Sequence, residues 1–200
     1  MKITLTDAAQ SLPRLTRVQT METLRVTRHP LDRLIASGFL PDTRVDRVAA
    51  LATRSSVASD EPLVVVRTGL PGWDGGRKIG LATGFTDVEL LESTRQWWTC
   101  DLSEVLDAGH ILVSVAGWCV AVLELTGPDG APRDVITDNG ATVRRHAFAA
   151  TLLARVDNLV TGEVRLLGIP GRRVEPVMAA LGNRLPTPQG APLIIVKPTT

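Results

Sequence analysis

The apolar residues of this 200-residue chain follow two different periods, and the change between them falls near residue 55. Up to that point they recur every three or four positions, which is typical of amphipathic helices. Beyond it, short runs of β-branched and apolar residues alternate with turns that contain glycine or proline, which is typical of strands. The sequence therefore predicts an α+β protein whose amino-terminal part is helical.

A small, polar segment separates the two parts. Residues 55–62 read SSVASDEP, a composition typical of a linker that ends at a proline. We therefore predict a helical module over residues 1–55, a linker over 56–61 and a second module over 62–200. Apolar residues make up 44% of the chain, which is enough to fill a core in each module.

The charge is divided unevenly between the two parts. Residues 1–55 contain nine basic and five acidic side chains, a net charge of +4, whereas the rest contains 13 basic and 16 acidic ones, a net charge of −3. Because phosphate binding needs clustered cations, the first part is the better surface for an anionic partner. No run approaches the ~20 apolar residues of a membrane helix, and the amino terminus lacks the apolar core of a secretory signal. We therefore expect a cytoplasmic protein with no membrane partner.

Cysteine and histidine form no recognisable metal or catalytic motif. Cys100 and Cys119 do not have metal-site spacing, and we interpret both as small core residues. The three histidines are scattered, and no nucleophile motif accompanies them. The sequence therefore predicts no cofactor, no metal and no catalytic residue. An enzyme acting on a nucleobase remains an alternative, and its candidate acids or bases are Asp74, Glu89 and His110.

Residues 18–40 carry the pattern of two short helices joined by a tight turn. The predicted apolar face of the first helix consists of Val18, Met21 and Leu24, and Arg25 and Val26 make the turn.

The second helix begins at a predicted cap, Thr27, and has Pro30 in its first turn, where a missing amide hydrogen costs nothing. Gly38 ends it, and residues 39–41 are expected to form a small wing. The inward side chains are Leu31, Leu34 and Ile35, and the outward ones are Arg28, His29, Asp32 and Arg33.

The runs LRVT at residues 24–27, LDRLIASGFL at 31–40 and VDRVAALA at 45–52 resemble the excisionase-type winged helix-turn-helix. The resemblance implies that the second helix enters the major groove of DNA and that the wing touches the backbone. The candidates for base or phosphate contact are Arg28, His29 and Arg33, and those for backbone contact are Arg25, Arg44 and Arg47. The alternative is a helical hairpin that packs on the second module without nucleic acid.

The second module is predicted to contain many short strands and two or three helices. One helix is capped by Thr86 with Glu89 closing a capping box, and a shorter one runs from Asp101 to Gly109. A hairpin follows, with the two-residue turn 116–117. Further strands are expected at 62–66, 133–137, 142–148, 163–167 and 193–196, and a helix at 174–181. This mixture favours a small α+β barrel.

A helix that ends in T-R-x-x-W at residues 94–98, followed by the hairpin GHILVSVAGWCVAVLEL at 109–125, resembles a PUA-like barrel. Within that group it is similar to the EVE and ASCH branch, which reads modified bases. The resemblance implies a pocket that takes a flipped or single-stranded base and stacks it on aromatic rings. The candidate pocket residues are Trp73, Arg95, Trp97, Trp98, Ser114 and Trp118.

The two parts together predict a DNA-binding protein that serves in regulation or in restriction and defence. The helix-turn-helix docks on duplex DNA, and the barrel reads a base, modified or unmodified. A DNA-free interaction adaptor is the remaining alternative beside the enzyme. The sequence leaves open which base is read, whether RNA replaces DNA, and whether the chain forms a homodimer.

Overall fold

A computed structural model of the chain describes residues 12–169, 171, 174–186 and 191–197. Residues 1–11 of the predicted helical module lie outside the described residues, as do 187–190 and 198–200 of the second module. The elements, in chain order, are α1 (Arg17–Leu24), α2 (Arg28–Ala36), α3 (Val45–Ala52), β1 (Leu63–Thr68), β2 (Gly72–Asp74), β3 (Arg77–Ile79), α4 (Asp87–Thr94), β4 (Gln96–Trp98), α5 (Leu102–Ala108), β5 (His110–Val115), β6 (Trp118–Pro128), β7 (Arg133–Ile136), β8 (Thr142–Asn158), β9 (Glu163–Leu166), α6 (Glu175–Ala179) and β10 (Leu193–Val196). None of the helices in these ranges combines the length and the apolar character needed to cross a membrane.

Eight strands form one sheet in the order β10-β1-β5-β6-β8-β4, with β7 and β9 also paired to β8, while β2 and β3 form a separate hairpin. Strands β1 and β5 run parallel, and the other pairs run antiparallel. The register between β6 and β8 shifts twice, at 122–123 and at 125–127. Such bulges bend a strand and increase its twist. The sheet accordingly curls into a half-barrel, and the α+β prediction is confirmed.

Several predicted elements are present in the structure. Neighbouring residues form hydrogen bonds with the free backbone groups at their ends. Helix α4 begins at Thr86 with the capping box to Glu89 in place. Helix α5 begins at Asp101, whose carboxylate accepts two backbone N–H groups, and it ends at Gly109. The turn between β5 and β6 places both of its residues at positive φ, as a tight hairpin with the right-handed twist of a sheet requires.

The amino-terminal helices form the expected two-helix arrangement, with two local differences. A turn over residues 25–27 joins α1 to α2, and Leu24, Leu31 and Leu34 are buried beneath it. Val18 was predicted to face inward but is 57% exposed, because Thr20 and Leu24 form the buried side of α1. Thr27 occupies the cap position of α2, but its side chain makes no capping hydrogen bond.

The segment expected to form a wing points inward instead. Phe39 is 1% exposed and Leu40 is fully buried, and the Leu40 N–H donates to the Leu34 carbonyl at 3.0 Å. Two large apolar side chains at the end of α2 gain more by entering the core than by projecting into water. The prediction of a projecting wing at residues 39–41 is therefore wrong.

The two adjacent tryptophans lie on a strand and not at the end of a helix. Helix α4 ends at Thr94 with Arg95 as its cap residue. Gln96 and Trp98 then pair with Ala147 and His146 of β8. The prediction that residues 97 and 98 continue the apolar side of the helix is wrong, because pairing with a strand about 50 residues away in sequence overrides the local helical pattern.

The helices and the sheet share one hydrophobic core that extends from Leu24 to Leu193. Backbone contacts add to it: the Thr83 N–H donates to the Ser37 carbonyl at 2.9 Å. The Arg184 guanidinium donates to the carbonyls of Leu24 and Arg25 at 2.7 and 2.8 Å, where α1 ends. These contacts hold α1 and α2 against the sheet.

Gly38, at the end of α2, packs closely against the loop that precedes α4, and this contact can be tested. This residue has φ of +83°, and a Cβ there would lie 2.5 Å from Thr83 Oγ1. We expect Gly38→Ala to lower the free energy of unfolding by about 2–4 kcal/mol, because left-handed strain and overpacking add. Denaturation by urea measures this change.

Gly140→Ala is the matched control. Its φ is +79°, but a Cβ there would meet no atom within 4 Å, so only the backbone strain remains, about 1–2 kcal/mol. Equal losses in the two variants would contradict the tight contact between the end of α2 and the loop that precedes α4.

Candidate nucleic-acid interface

A cavity of about 710 Å³ opens where α2, β1, the β2–β3 hairpin, β4 and the β7–β8 hairpin meet. Its volume lies within the range of small-molecule and cofactor sites. We call it the arginine cavity because five arginines and only one carboxylate line it, together with Trp97 and Trp98. The charged lining residues are Arg33, Arg67, Arg77, Arg133, Arg145 and Asp74.

The β7–β8 hairpin places two of these arginines side by side. Arg133 lies directly opposite Arg145 in the strand register, so both side chains lie on the same face. On the other face Arg144 lies opposite Asp134 and forms a two-pronged ion pair with it at 3.0 and 3.2 Å. Among the described residues neither Arg133 nor Arg145 has an ion-pair partner. The cavity face of this hairpin thus carries uncompensated positive charge.

Trp97 forms a stack with one of these arginines. The Arg133 guanidinium carbon lies 3.8 Å from the centroid of the Trp97 ring. At this distance the cation lies over the negative face of the indole, and the two planar groups form a flat wall. The arginine cavity therefore offers both a stacking surface and positive charge at the same place.

Helix α4 and its end hold β4 in position. The Trp98 indole N–H donates to the Thr94 carbonyl at 2.7 Å. Arg95 binds the Glu92 carboxylate at 2.8 and 2.9 Å and also pairs with Asp129, and these contacts raise its pKa. Arg95 is therefore a structural link between α4 and the β6–β7 connection, and it does not line the cavity.

A buried arginine anchors the start of α4. Arg155 of β8 donates to the carbonyls of Phe85 and Thr83 at 2.8 and 3.3 Å and to the Asp87 carboxylate at 3.0 Å. Hydrogen bonds from Arg165 and Arg155 lower the pKa of Asp87, so this carboxylate stays ionised. The network ties the loop that precedes α4 to the sheet.

Among the residues that the structure describes, one acidic side chain, Asp74, lines the cavity, and it lies near one of the arginines. Asp74 Oδ2 is 3.9 Å from an Arg77 nitrogen. The Arg77 guanidinium also donates to the carbonyls of Glu92 and Gln96 at 3.3 and 3.1 Å. Arg77 therefore helps to hold the β2–β3 hairpin against the end of α4.

The structure brings two of the predicted base-pocket residues together and separates the others from them. Trp97 and Trp98 line the arginine cavity. Trp73 is 68% exposed on the opposite face of its hairpin, near Lys78. Ser114 and Trp118 are each 1% exposed in the core. Trp73, Arg95, Ser114 and Trp118 therefore do not share a pocket with Trp97 and Trp98.

The predicted DNA-contacting residues of α2 lie on its exposed side. Arg28 is well exposed and lies 3.4 Å from Asp32, its neighbour one turn later. His29 and Arg33 are also exposed, and Arg33 lies at the edge of the arginine cavity. The exposed face of α2 and the cavity therefore form one continuous surface.

The predicted backbone-contacting residues differ in their surroundings. Arg25 is exposed at the end of α1. Arg44 pairs with Asp46 at 2.9 Å, and Arg47 pairs with Asp42 at 2.8 Å. The charges of Arg44 and Arg47 are thus already balanced within the chain.

Sequence reasoning missed four of the lining arginines, namely Arg67, Arg77, Arg133 and Arg145. The sequence contains a pattern that could have identified two of them. Arg133 and Arg145 each lie six residues from Asn139, which is in the turn between the predicted strands 133–137 and 142–148. A symmetric hairpin pairs such residues directly, which identifies a like-charge pair.

The candidate acids and bases do not form a catalytic arrangement. Glu89 pairs with Lys78, which lowers its pKa, and it closes the capping box of α4. His110 is 6% exposed and does not line the cavity. Within the described ranges there is no group of three or more His, Cys, Asp or Glu side chains that could hold a metal ion.

The two thiols give a prediction that tests their structural role. Burial, and then the charge of Asp101, raises the pKa of Cys100 to about 11, and burial raises the pKa of Cys119 to about 12. At pH 8 both thiols are therefore protonated. We expect iodoacetamide to modify Cys100 roughly a hundredfold more slowly than an unstructured cysteine, with the rate rising as pH approaches 11. Mass spectrometry of the native chain measures this, and rapid labelling at pH 8 would contradict it.

Comparison with known protein families, with curated proteins and with solved structures gives no match.

Proposed function

We propose that this protein binds nucleic acid and that the arginine cavity receives one nucleobase with its phosphate. The observation that carries the proposal is the lining of the cavity, in which five guanidinium groups and two indole rings accompany a single carboxylate. Guanidinium groups bind phosphate oxygens in a two-pronged manner, and indole rings stack on bases. A nucleotide uses both kinds of group at once.

The like-charged arginines support an anionic ligand. Two cations directly opposite each other in a sheet destabilise it, as Arg133 and Arg145 do across β7 and β8. An anion between them would convert this repulsion into two charge-assisted contacts. Phosphate, which is abundant along nucleic acid, fits this requirement.

The stacked pair of Trp97 and Arg133 supports recognition of a base. Bases stack on aromatic rings and on guanidinium planes, and each stack contributes about 1–3 kcal/mol. Because the site is a recess in the protein, a base must be single-stranded or flipped out of a duplex to enter it. We propose that the half-barrel reads a base in this way, as a PUA-like domain would.

The exposed face of α2 supports docking on a duplex. Arg28, His29 and Arg33 lie on this face, and the turn before α2 has the length used by helix-turn-helix proteins. We propose that α1–α3 act as an excisionase-type helix-turn-helix whose second helix contacts DNA beside the cavity. Such a protein would serve in regulation or in restriction, where binding depends on the state of a base.

Two adjacent arginines of β8, Arg144 and Arg145, face opposite sides of the hairpin and can be compared directly. Arg145→Gln removes a cation from the cavity, whereas Arg144→Gln removes one from the other face. We expect Arg145→Gln to weaken binding of single-stranded DNA about tenfold and to reduce the slope of log Kobs against log salt by about 0.7. Fluorescence anisotropy over a salt series measures both quantities.

Arg144→Gln is the matched control because it makes the same charge change one residue away. We expect it to leave the affinity within about twofold of the unaltered protein, since its partner Asp134 already neutralises it. Equal losses in both variants would show that general charge, and not the cavity, binds the strand.

Substitution of Arg28 tests whether α2 contacts duplex DNA. We expect Arg28→Gln to weaken duplex DNA binding and to reduce its salt slope by about 0.9, as the loss of one phosphate contact requires. Arg144→Gln again serves as the control with equal net charge. A salt slope for duplex DNA that is the same in both variants would exclude α2 as the docking helix.

A further inference from the structure

Two arginines from distant parts of the chain line one side of the arginine cavity. Arg33 belongs to α2, and Arg67 belongs to β1, which lies between β10 and β5 in the sheet. Arg33 is exposed and has no hydrogen-bond or ion-pair partner among the residues that the structure describes. Arg67 is half-buried, and its guanidinium lies 3.5 Å from the Ala191 carbonyl. Burial, and then the positive charge of Arg33, lowers the pKa of Arg67, so the two guanidinium groups are electrostatically coupled.

The Arg33 and Arg67 pair has one feature in common with the Arg133 and Arg145 pair, which lines the same cavity. In both pairs two cations face the same space, and the only carboxylate that lines the cavity, Asp74, lies beside Arg77. A bridging anion is the group that removes such repulsion. A phosphate has enough oxygens to accept from two guanidinium forks at once.

We propose that Arg33 and Arg67 form a second phosphate subsite, distinct from the Arg133 and Arg145 pair, and that it binds the 5′-phosphate of the nucleotide whose base occupies the arginine cavity. This inference rests on the proposed function, because it assumes that a base enters beside Trp97. The ligand chemistry is a nucleoside phosphate, and it has two sources: a free nucleotide or a nucleotide within a strand.

The position of the subsite links the two halves of the protein. Its Arg33 belongs to the helix proposed to dock on DNA, and its Arg67 belongs to the sheet that carries the base pocket. A single phosphate bound by both would therefore add a contact between α2 and the sheet to the core that already holds them together. By linkage, any ligand that needs both groups stabilises the folded arrangement that brings them together.

The test measures how much a phosphate adds to binding. Isothermal titration calorimetry of the full chain compares the four 2′-deoxynucleosides with their 5′-monophosphates and with a mixed-sequence single-stranded dodecamer. We expect the monophosphates to bind at least about tenfold more tightly than the nucleosides. We expect Arg33→Gln and Arg67→Gln each to remove most of that increment, and the double variant to lose little more than either, because both contact one phosphate.

Two further variants sharpen the test. Arg144→Gln, which makes the same charge change outside the cavity, should retain the full increment. Arg67→Lys keeps the charge without the planar fork, and it should retain part of the increment while leaving the fold intact. If the monophosphates show the increment, a free nucleotide suffices; if only the dodecamer shows it, the source is a strand.

The outcomes separate this inference from the proposed function. A dodecamer that binds in an Arg145-dependent manner, with an affinity unaffected by Arg33→Gln and Arg67→Gln, overturns the phosphate subsite alone. The phosphate subsite alone is also overturned if nucleosides and monophosphates bind with equal affinity and Arg33→Gln does not change the affinity for the strand. A chain that binds none of these ligands overturns the subsite and the proposed function together.

Discussion

The pairing of β8 with four other strands is the interaction on which the rest of the structure depends. Along its 17 residues this strand pairs in turn with β7, β4, β6 and β9. A straight strand cannot serve partners on so many sides, and the bulges opposite it in β6 allow the bend. Because Gln96 and Trp98 of β4 pair with Ala147 and His146, which directly follow Arg145 in β8, Trp97 lies beside the Arg133 and Arg145 pair. The arginine cavity is therefore a consequence of how one long strand is shared.

The ion pairs are distributed unevenly between the arginines that support the fold and those that line the cavity. Where an arginine supports the fold, carboxylates or carbonyls surround it, as they do at Arg155, Arg165 and Arg95. Around the cavity the ratio is reversed, with five cations and one acid. Arg67 and Arg77 also contact carbonyl groups, whereas Arg133 and Arg145 lie opposite each other with no carboxylate partner among the described residues. Such a pair of like charges favours a counter-charge from outside the chain. This contrast makes the cavity, and not the overall charge of +1, the better indicator of an anionic partner.

The sequence predicted those elements whose ends are satisfied by nearby residues. The capping box of α4, the cap of α5 and the turn of the β5–β6 hairpin all depend on groups within a few positions. The misplaced features depend on distant partners: Trp97 lies on a strand because of β8, and Phe39 is buried because the core reaches the end of α2. The composition of the cavity could not be predicted, since Arg33, Arg67 and Arg145 converge only in the folded chain. Caps and turns can be predicted from a sequence because their residues are close together in it. Which distant residues share a cavity can be known only from the fold.

The shared core also limits how the helices can act. Because one hydrophobic cluster runs from Leu24 to Leu193, α1 and α2 are held on the sheet and not merely tethered to it by residues 56–61. Arg184 strengthens this contact by donating to the carbonyls at the end of α1. In the complex that we propose, a strand that touches Arg28 on α2 would reach the cavity at a fixed distance, so that the second contact would be an intramolecular event. Weak individual contacts on each surface are then enough for appreciable affinity, provided that the same nucleic acid reaches both.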